Sequence, residues 1–346
     1  MSLMTYVQYV VVENDEENMR LDRWFKNHYP HINFVNLQKI LRSGQVRVDK
    51  KRVKFNNRIQ SGQVVRIPPV INALNHIIKE QKILDSSVNL TKHSDFLKSI
   101  LLYEDSKIYV FNKPAGISVQ GGSGIAYHID GFLKSWVDSK GQKPRLTHRL
   151  DQETSGILVV ARTRAAAQHL TESFRMRRIQ KIYWSLVWGI PKNKKECIAN
   201  WLLKKSHIGG DYVHVVKQNE KGANYAISHF KVIDCFAQKF CWLEMQPHTG
   251  RTHQLRVHAL HMGCPIVGDH KYCANFKGNF TSPIQNKLYL HARYMDLPHP
   301  EGGRLQITAP LPAHMVKTWD SLGFKYDRNL YIKRLYSQDE CKQNIL

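Results

Sequence analysis

One stretch constrains this chain more than any other. Leu146-Thr147-His148-Arg149-Leu150-Asp151-Gln152-Glu153-Thr154-Ser155-Gly156 runs directly into Ile157-Leu158-Val159-Val160. The apolar run is short, β-branched and bounded by glycine, which reads as a buried strand, so the polar turn ahead of it sets Asp151 near the end of a sheet. Two uses of that carboxylate follow from the residues alone. Asp151 can bond its own turn backbone, as Thr154 and Ser155 can, or it can carry out chemistry at the sheet end.

A resemblance favours the second use. His148-Arg149-Leu150-Asp151 followed by Thr154-Ser155-Gly156 and a hydrophobic strand resembles the motif that bears the nucleophilic aspartate in RluA-type RNA pseudouridine synthases. Two further motifs resemble the same family in the same order: Lys181-Ile182-Tyr183-Trp184-Ser185-Leu186-Val187-Trp188-Gly189, then Thr249-Gly250-Arg251-Thr252-His253-Gln254-Leu255-Arg256-Val257-His258. The resemblance implies an α+β catalytic domain on a mixed, mainly antiparallel sheet flanked by helices. It also implies roles: Asp151 as nucleophile, Arg256 as its paired arginine, and Tyr183 as the aromatic face for a flipped base. Arg149 would fill the gap that the base leaves, and Lys181 would act as a phosphate or site-ordering charge. Periodicity alone would make Tyr183 a packing residue on a strand that alternates Ile182, Trp184, Leu186 and Trp188 on its other face.

The chemistry suits these residue types. Conversion of uridine to pseudouridine breaks the C1′–N1 bond, turns the uracil and rejoins it through C5, with no redox or phosphoryl step, so no cofactor is expected. A carboxylate can attack a sugar or base carbon, or stabilise an electron-poor sugar. Burial disfavours an ionised carboxylate and a guanidinium within about 4–6 Å restores it, which gives Arg256 its purpose. The target base must leave its stack, and an aromatic surface receives it for roughly 1–3 kcal/mol.

Ahead of this domain, Leu21, Trp24, Phe25 and His28 recur at helical spacing, as do Phe34, Leu37 and Leu41 after a capping Asn33. Short strands around Val46–Val48 and Val64–Ile67 follow, closed by Pro68-Pro69. Nine basic residues between Lys39 and Arg66 face one acid, Asp49. This pattern resembles an S4-type RNA-binding domain over residues 19–68, with Arg47, Lys51, Arg52 and Arg58 expected on phosphate. Residues 69–94 read as a linker, 95–320 as the catalytic domain and 321–346 as a basic tail without assignment. An S4 unit together with Val119-Gln120-Gly121-Gly122-Ser123-Gly124 resembles the RluC branch, which acts on 23S ribosomal RNA, with the RluD branch close by.

Composition agrees with an RNA partner. Lys plus Arg number 51 against 28 acidic residues in 346, a formal charge of +23, which suits a polyanion, either 23S ribosomal RNA or its large-subunit precursor. No basic amphipathic helix, lipidation signal or membrane-length apolar run is present, so no membrane association is expected. Residues 1–19 carry acids and no Lys or Arg, the reverse of an export signal. Six scattered cysteines without CxxC spacing predict reduced thiols, no disulfide and a cytoplasmic protein; separately, the chain is expected to act as a monomer. His248, His253, His258, His261 and Cys264 lack a metal-ligand spacing, so no metal is expected. A catalytically inactive RNA-binding assembly factor is the alternative from another class.

Overall fold

The apolar run after Asp151 is uninterrupted because the sheet it enters is covered on both faces. In a computed structural model that describes residues 7–326 except 30–31, 70, 72–89, 123–124, 126, 140, 208–209 and 274–283, it forms strand β10, Ser155–Ala161, buried at every position. Leu158 and Val160 pack on one side with Phe111, Ile129 and Phe132. Ile157, Val159 and Ala161 pack on the other with Val110, Leu170 and Leu297. Strands buried on both faces lose the usual apolar–polar alternation.

The chain divides into two units, Met1–Lys92 and His93–Leu346. In the first, helices α1 (Leu21–His28) and α2 (Phe34–Arg42) bury Leu21, Trp24, Phe25, Leu37 and Leu41. The Asn33 side chain accepts the Asn36 N–H at 2.8 Å, which caps α2 as its sequence predicts. Six short strands accompany the helices: β1 (Gln8–Val11), β2 (Met19–Arg20), β3 (Arg47–Val48), β4 (Lys51–Arg52), β5 (Arg58–Ile59) and β6 (Val64–Ile67). Four of them make a sheet of order β1-β6-β3-β4. Strand β1 lies ahead of Met19 and pairs with β6, so this unit begins earlier in the chain than its helical pattern does.

The second unit holds a large mixed sheet. Its strands are β7 (Leu101–Glu104), β8 (Ile108–Lys113), β9 (Arg145–Leu146), β10, β11 (Gln180–Trp188), β12 (Lys195–His207), β13 (Gly210–Val216), β14 (Asn224–Phe236), β15 (Phe240–Pro247), β16 (Leu290–Pro298) and β17 (Arg304–Thr308). The order is β13-β12-β14-β15-β11-β16-β10-β8-β7, with β17 on β16 and β9 on β10. Among these named strands β10–β16 is parallel and the other pairings are antiparallel, the mixed, mainly antiparallel sheet that the motifs imply. The described helical residues 90–99 (α3) begin in the first unit and run into the second, whose further helices are α4 (Ile129–Phe132), α5 (Arg164–Arg175), α6 (Gln254–His261) and α7 (Ala313–Ser321).

One expectation changes. Cys235 and Cys241 form a disulfide, because the β14–β15 hairpin places them directly opposite with Cα atoms 4.3 Å apart; a six-residue spacing is invisible to a search for CxxC. Strand β16 ends at Pro298, and β17 runs back antiparallel beside it, from Pro298 opposite Arg304 to Tyr294 opposite Thr308. Helix α5 stops at Arg175, and Arg177 just beyond it adopts φ 56°, outside helical geometry. Ser123 and Gly124, most of the tail and most of the expected linker lie outside the described residues.

Candidate active site

The turn bearing Asp151 is fixed from several sides. Within it, Thr154 N–H donates to the Asp151 carbonyl at 3.1 Å. Gln152 exchanges bonds with Gly116, and its carbonyl also accepts the Lys113 ammonium at 3.0 Å. Lys113 is fully buried and donates as well to the carbonyls of Pro114 and Ile117. Burial pulls its pKa down to about 7, against the charges of Glu153 and Asp151. On the N-terminal side, His148 Nε2 accepts the Val159 N–H at 2.8 Å. Its pKa falls to about 3 through burial first and Lys181 second, so it is a neutral acceptor at any physiological pH.

Just beyond the turn, Gly156 has φ +109°, and a Cβ there would lie 2.3 Å from the Ala292 carbonyl oxygen. Only glycine allows β10 to meet β16 at this point. The register continues across the sheet, because Gly156 pairs with Ala292 and Ala292 with Tyr183. A β-bulge at Ile182/Tyr183 interrupts the ladder there. The Tyr183 phenol is pushed to a higher pKa by burial and then by the Asp151 charge, so it stays protonated at neutral pH.

Arg256 reaches the site from α6. Its side chain is fixed by Asp269, with Nε–Oδ2 and Nη2–Oδ1 both at 2.7 Å, a bidentate buried pair. The remaining Nη1 lies 3.9 Å from Asp151 Oδ2. The loop entering α6 is tied down by Gln254, whose Oε1 accepts from Thr249 and from the Arg251 N–H while its Nε2 donates to Ile227 and Ser228.

Asp151, Tyr183, Arg256, Arg149 and Lys181 all line one cavity of about 490 Å³. Arg177 and Arg251 contribute to its wall, so the site joins one carboxylate to a strongly cationic surround. Lys181 is lowered to about 8 by burial and then by Arg177. The four basic residues expected on phosphate belong to the other unit and are exposed. There the Arg47 guanidinium bonds the carbonyls of Gly44 and Lys50, and Arg58 bonds that of Asn18. Sequence reasoning missed Lys113, His148, Asp269 and Tyr272, and treated His253 only as a possible metal ligand. Buried polar side chains of this kind carry no periodic signal. Among the described residues no group of three or more His, Cys, Asp or Glu is arranged to hold a metal ion, and no helix is long and apolar enough to cross a membrane.

Residues 107–261 match the family described as RNA pseudouridylate synthase. A solved structure described as human RNA pseudouridylate synthase domain containing 4 superposes with a TM-score of 0.56 at 26% identity, covering 68% of this chain and 98% of that one. Together with the full-length relatives that follow, this shows that the chain belongs to the RNA pseudouridine synthase family, whose members isomerise uridine in RNA. Ribosomal large subunit pseudouridine synthase C of Vibrio cholerae is 35% identical over 90% of this chain and 96% of its own length. The protein of the same description from Escherichia coli is 35% identical over 88% of this chain and 93% of its own.

Proposed function

We propose that this chain converts specific uridines of 23S ribosomal RNA, or of its large-subunit precursor, to pseudouridine with Asp151 as nucleophile. The observation that carries the reading is the meeting of the Asp151 carboxylate, the Arg256 guanidinium and the Tyr183 phenol in one cavity at a sheet end. Arg256 faces the carboxylate while Asp269 fixes its fork, so the cation neither swings into the substrate space nor leaves Asp151 uncompensated. Tyr183, protonated, offers a flat face for the uracil and a phenolic proton to the sugar or base. Arg149, exposed two residues before Asp151, fills the stack that the base vacates, and Lys181 meets a neighbouring phosphate.

Residues 19–68 serve as an S4-type RNA-binding unit, supported by two helices, a following hairpin and the basic residues Arg47, Lys51, Arg52 and Arg58. The descriptions of the relatives support C-type rather than D-type specificity. Because the reaction is an isomerisation, it needs no cofactor. The chain acts as a monomer in the cytoplasm, a place that rests on its large-subunit RNA substrate and not on its cysteines, two of which are joined. The test is to incubate the protein with unmodified large-subunit RNA and map pseudouridine at nucleotide resolution. A small set of new sites is expected; an RNA left unchanged, with the protein bound, would favour the inactive assembly factor.

A further inference from the structure

His253 stands in the same cavity with no part in the reaction described so far. It caps α6 with φ 53° and ψ 16°, a left-handed backbone that a non-glycine residue keeps only where its surroundings hold it. Its Nδ1 lies 2.8 Å from Tyr272 Oη, and that oxygen in turn accepts the Val213 N–H at 2.9 Å. Its other nitrogen, Nε2, lies 3.9 Å from Asp151 Oδ2, the same oxygen and the same distance as Arg256 Nη1. Two groups from the start of one helix therefore converge on one oxygen of the carboxylate.

The tautomer follows from these partners. A lone pair on Nε2 would face a negative oxygen, whereas Nε2–H faces it favourably, so the proton belongs on Nε2. Nδ1 then accepts the Tyr272 hydroxyl proton, which leaves the phenol oxygen free to accept from Val213. This is the arrangement in which a buried partner on one imidazole nitrogen fixes what the other presents.

We propose that His253 is a positioning residue for Asp151: its neutral imidazole, locked as the Nε2–H tautomer by Tyr272, shares Oδ2 with Arg256 and leaves Oδ1 as the oxygen that meets the uridine. The proposal rests on Asp151 being the nucleophile. The 3.9 Å separations close to hydrogen-bond length when RNA fills the cavity, as apo sites commonly tighten on binding. Asp151, Asp269, Arg256, Lys271 and the Tyr272 hydroxyl are the charged and titratable groups around the ring. Burial, joined by the Arg256 and Lys271 charges, outweighs Asp151 and Asp269 and keeps the imidazole below its ordinary pKa. Protonation would take away the acceptor for Tyr272 and place a second full cation on Oδ2, so the rate should fall on the acid side.

The experiment compares full-length wild type, His253→Asn, His253→Gln, Tyr272→Phe, the Tyr272→Phe/His253→Gln pair and Asp151→Asn by single-turnover rate against pH, with RNA affinity in parallel. Asn withdraws the donor from Asp151 and should slow the reaction about 100-fold with RNA affinity kept, while Gln places an amide N–H near the Nε2 position and should return the rate to within about tenfold. Tyr272→Phe frees Nδ1 to protonate, so its acid limb should move to higher pH, and the move should vanish in the double variant. The proposal is overturned if His253→Asn reacts at the wild-type rate, or if the acid limb of Tyr272→Phe stays in place, while Asp151→Asn is inactive. Turnover by Asp151→Asn would instead bring down the nucleophile assignment itself, and this inference with it.

Discussion

Arg256 and Asp269 show how much of the site is held by one buried pair. The Asp269 side chain is fully buried and that of Arg256 nearly so, and Asp269 also accepts the backbone N–H groups of Lys271 and Tyr272. Asp269→Ala strips a buried guanidinium of its bidentate partner and leaves only the longer approach to Asp151, so chemical unfolding should show a loss of about 3–5 kcal/mol. Activity should fall further than stability explains, because the freed fork no longer presents Nη1 to Asp151. Lys181 supplies a pH handle. Its folded pKa of about 8 lies below the ordinary lysine value, so it is cationic at pH 7 and loses its charge as pH rises through about 8. If it meets a phosphate, RNA affinity measured from pH 7 to 9 should weaken with a one-proton slope, and Lys181→Arg should remove that slope.

At the scale of elements, the decisive contact is where β10 enters beside β16. Gly156→Ala forces a Cβ against the Ala292 backbone at a positive φ, which should cost about 3 kcal/mol and appear as a lowered melting temperature with lost activity. The sequence made β10, β11, α1 and α2 legible for plain reasons. A continuous β-branched run, an alternating aromatic strand, an Asn33 cap and 3.6-residue spacing each report local geometry. The long β12–β13 hairpin and α7 were not legible. Lys195–His207 carries Lys204 and Lys205 among apolar residues, and α7 has neither a side-chain N-cap bond nor a charged first turn. The site divides along the same line. Asp151, Tyr183 and Arg256 sit in contiguous motifs, whereas Asp269 and Tyr272 reach Arg256 and His253 through tertiary contacts that no local spacing records. The Cys235–Cys241 bond depends likewise on a hairpin register that the sequence alone does not fix.

For the whole molecule, a charge of +23 makes phosphate contact the main source of RNA affinity. If Arg47, Lys51, Arg52 and Arg58 each neutralise a phosphate, changing all four to Gln should reduce the slope of log K against log salt by about 3. The single-turnover rate at saturating RNA should persist, since the chemistry belongs to the other unit. An unchanged slope would remove these residues from the interface. The proposed chemistry rests on one carboxylate, Asp151, in a site otherwise built to hold and face it. Asp151→Asn keeps size and shape and deletes the charge, so the direct measurement is pseudouridine formed on unmodified large-subunit RNA by this variant, beside its RNA affinity at one fixed salt. Affinity close to wild type and no detectable pseudouridine are expected; turnover by Asp151→Asn at the wild-type rate would rule out Asp151 as the nucleophile.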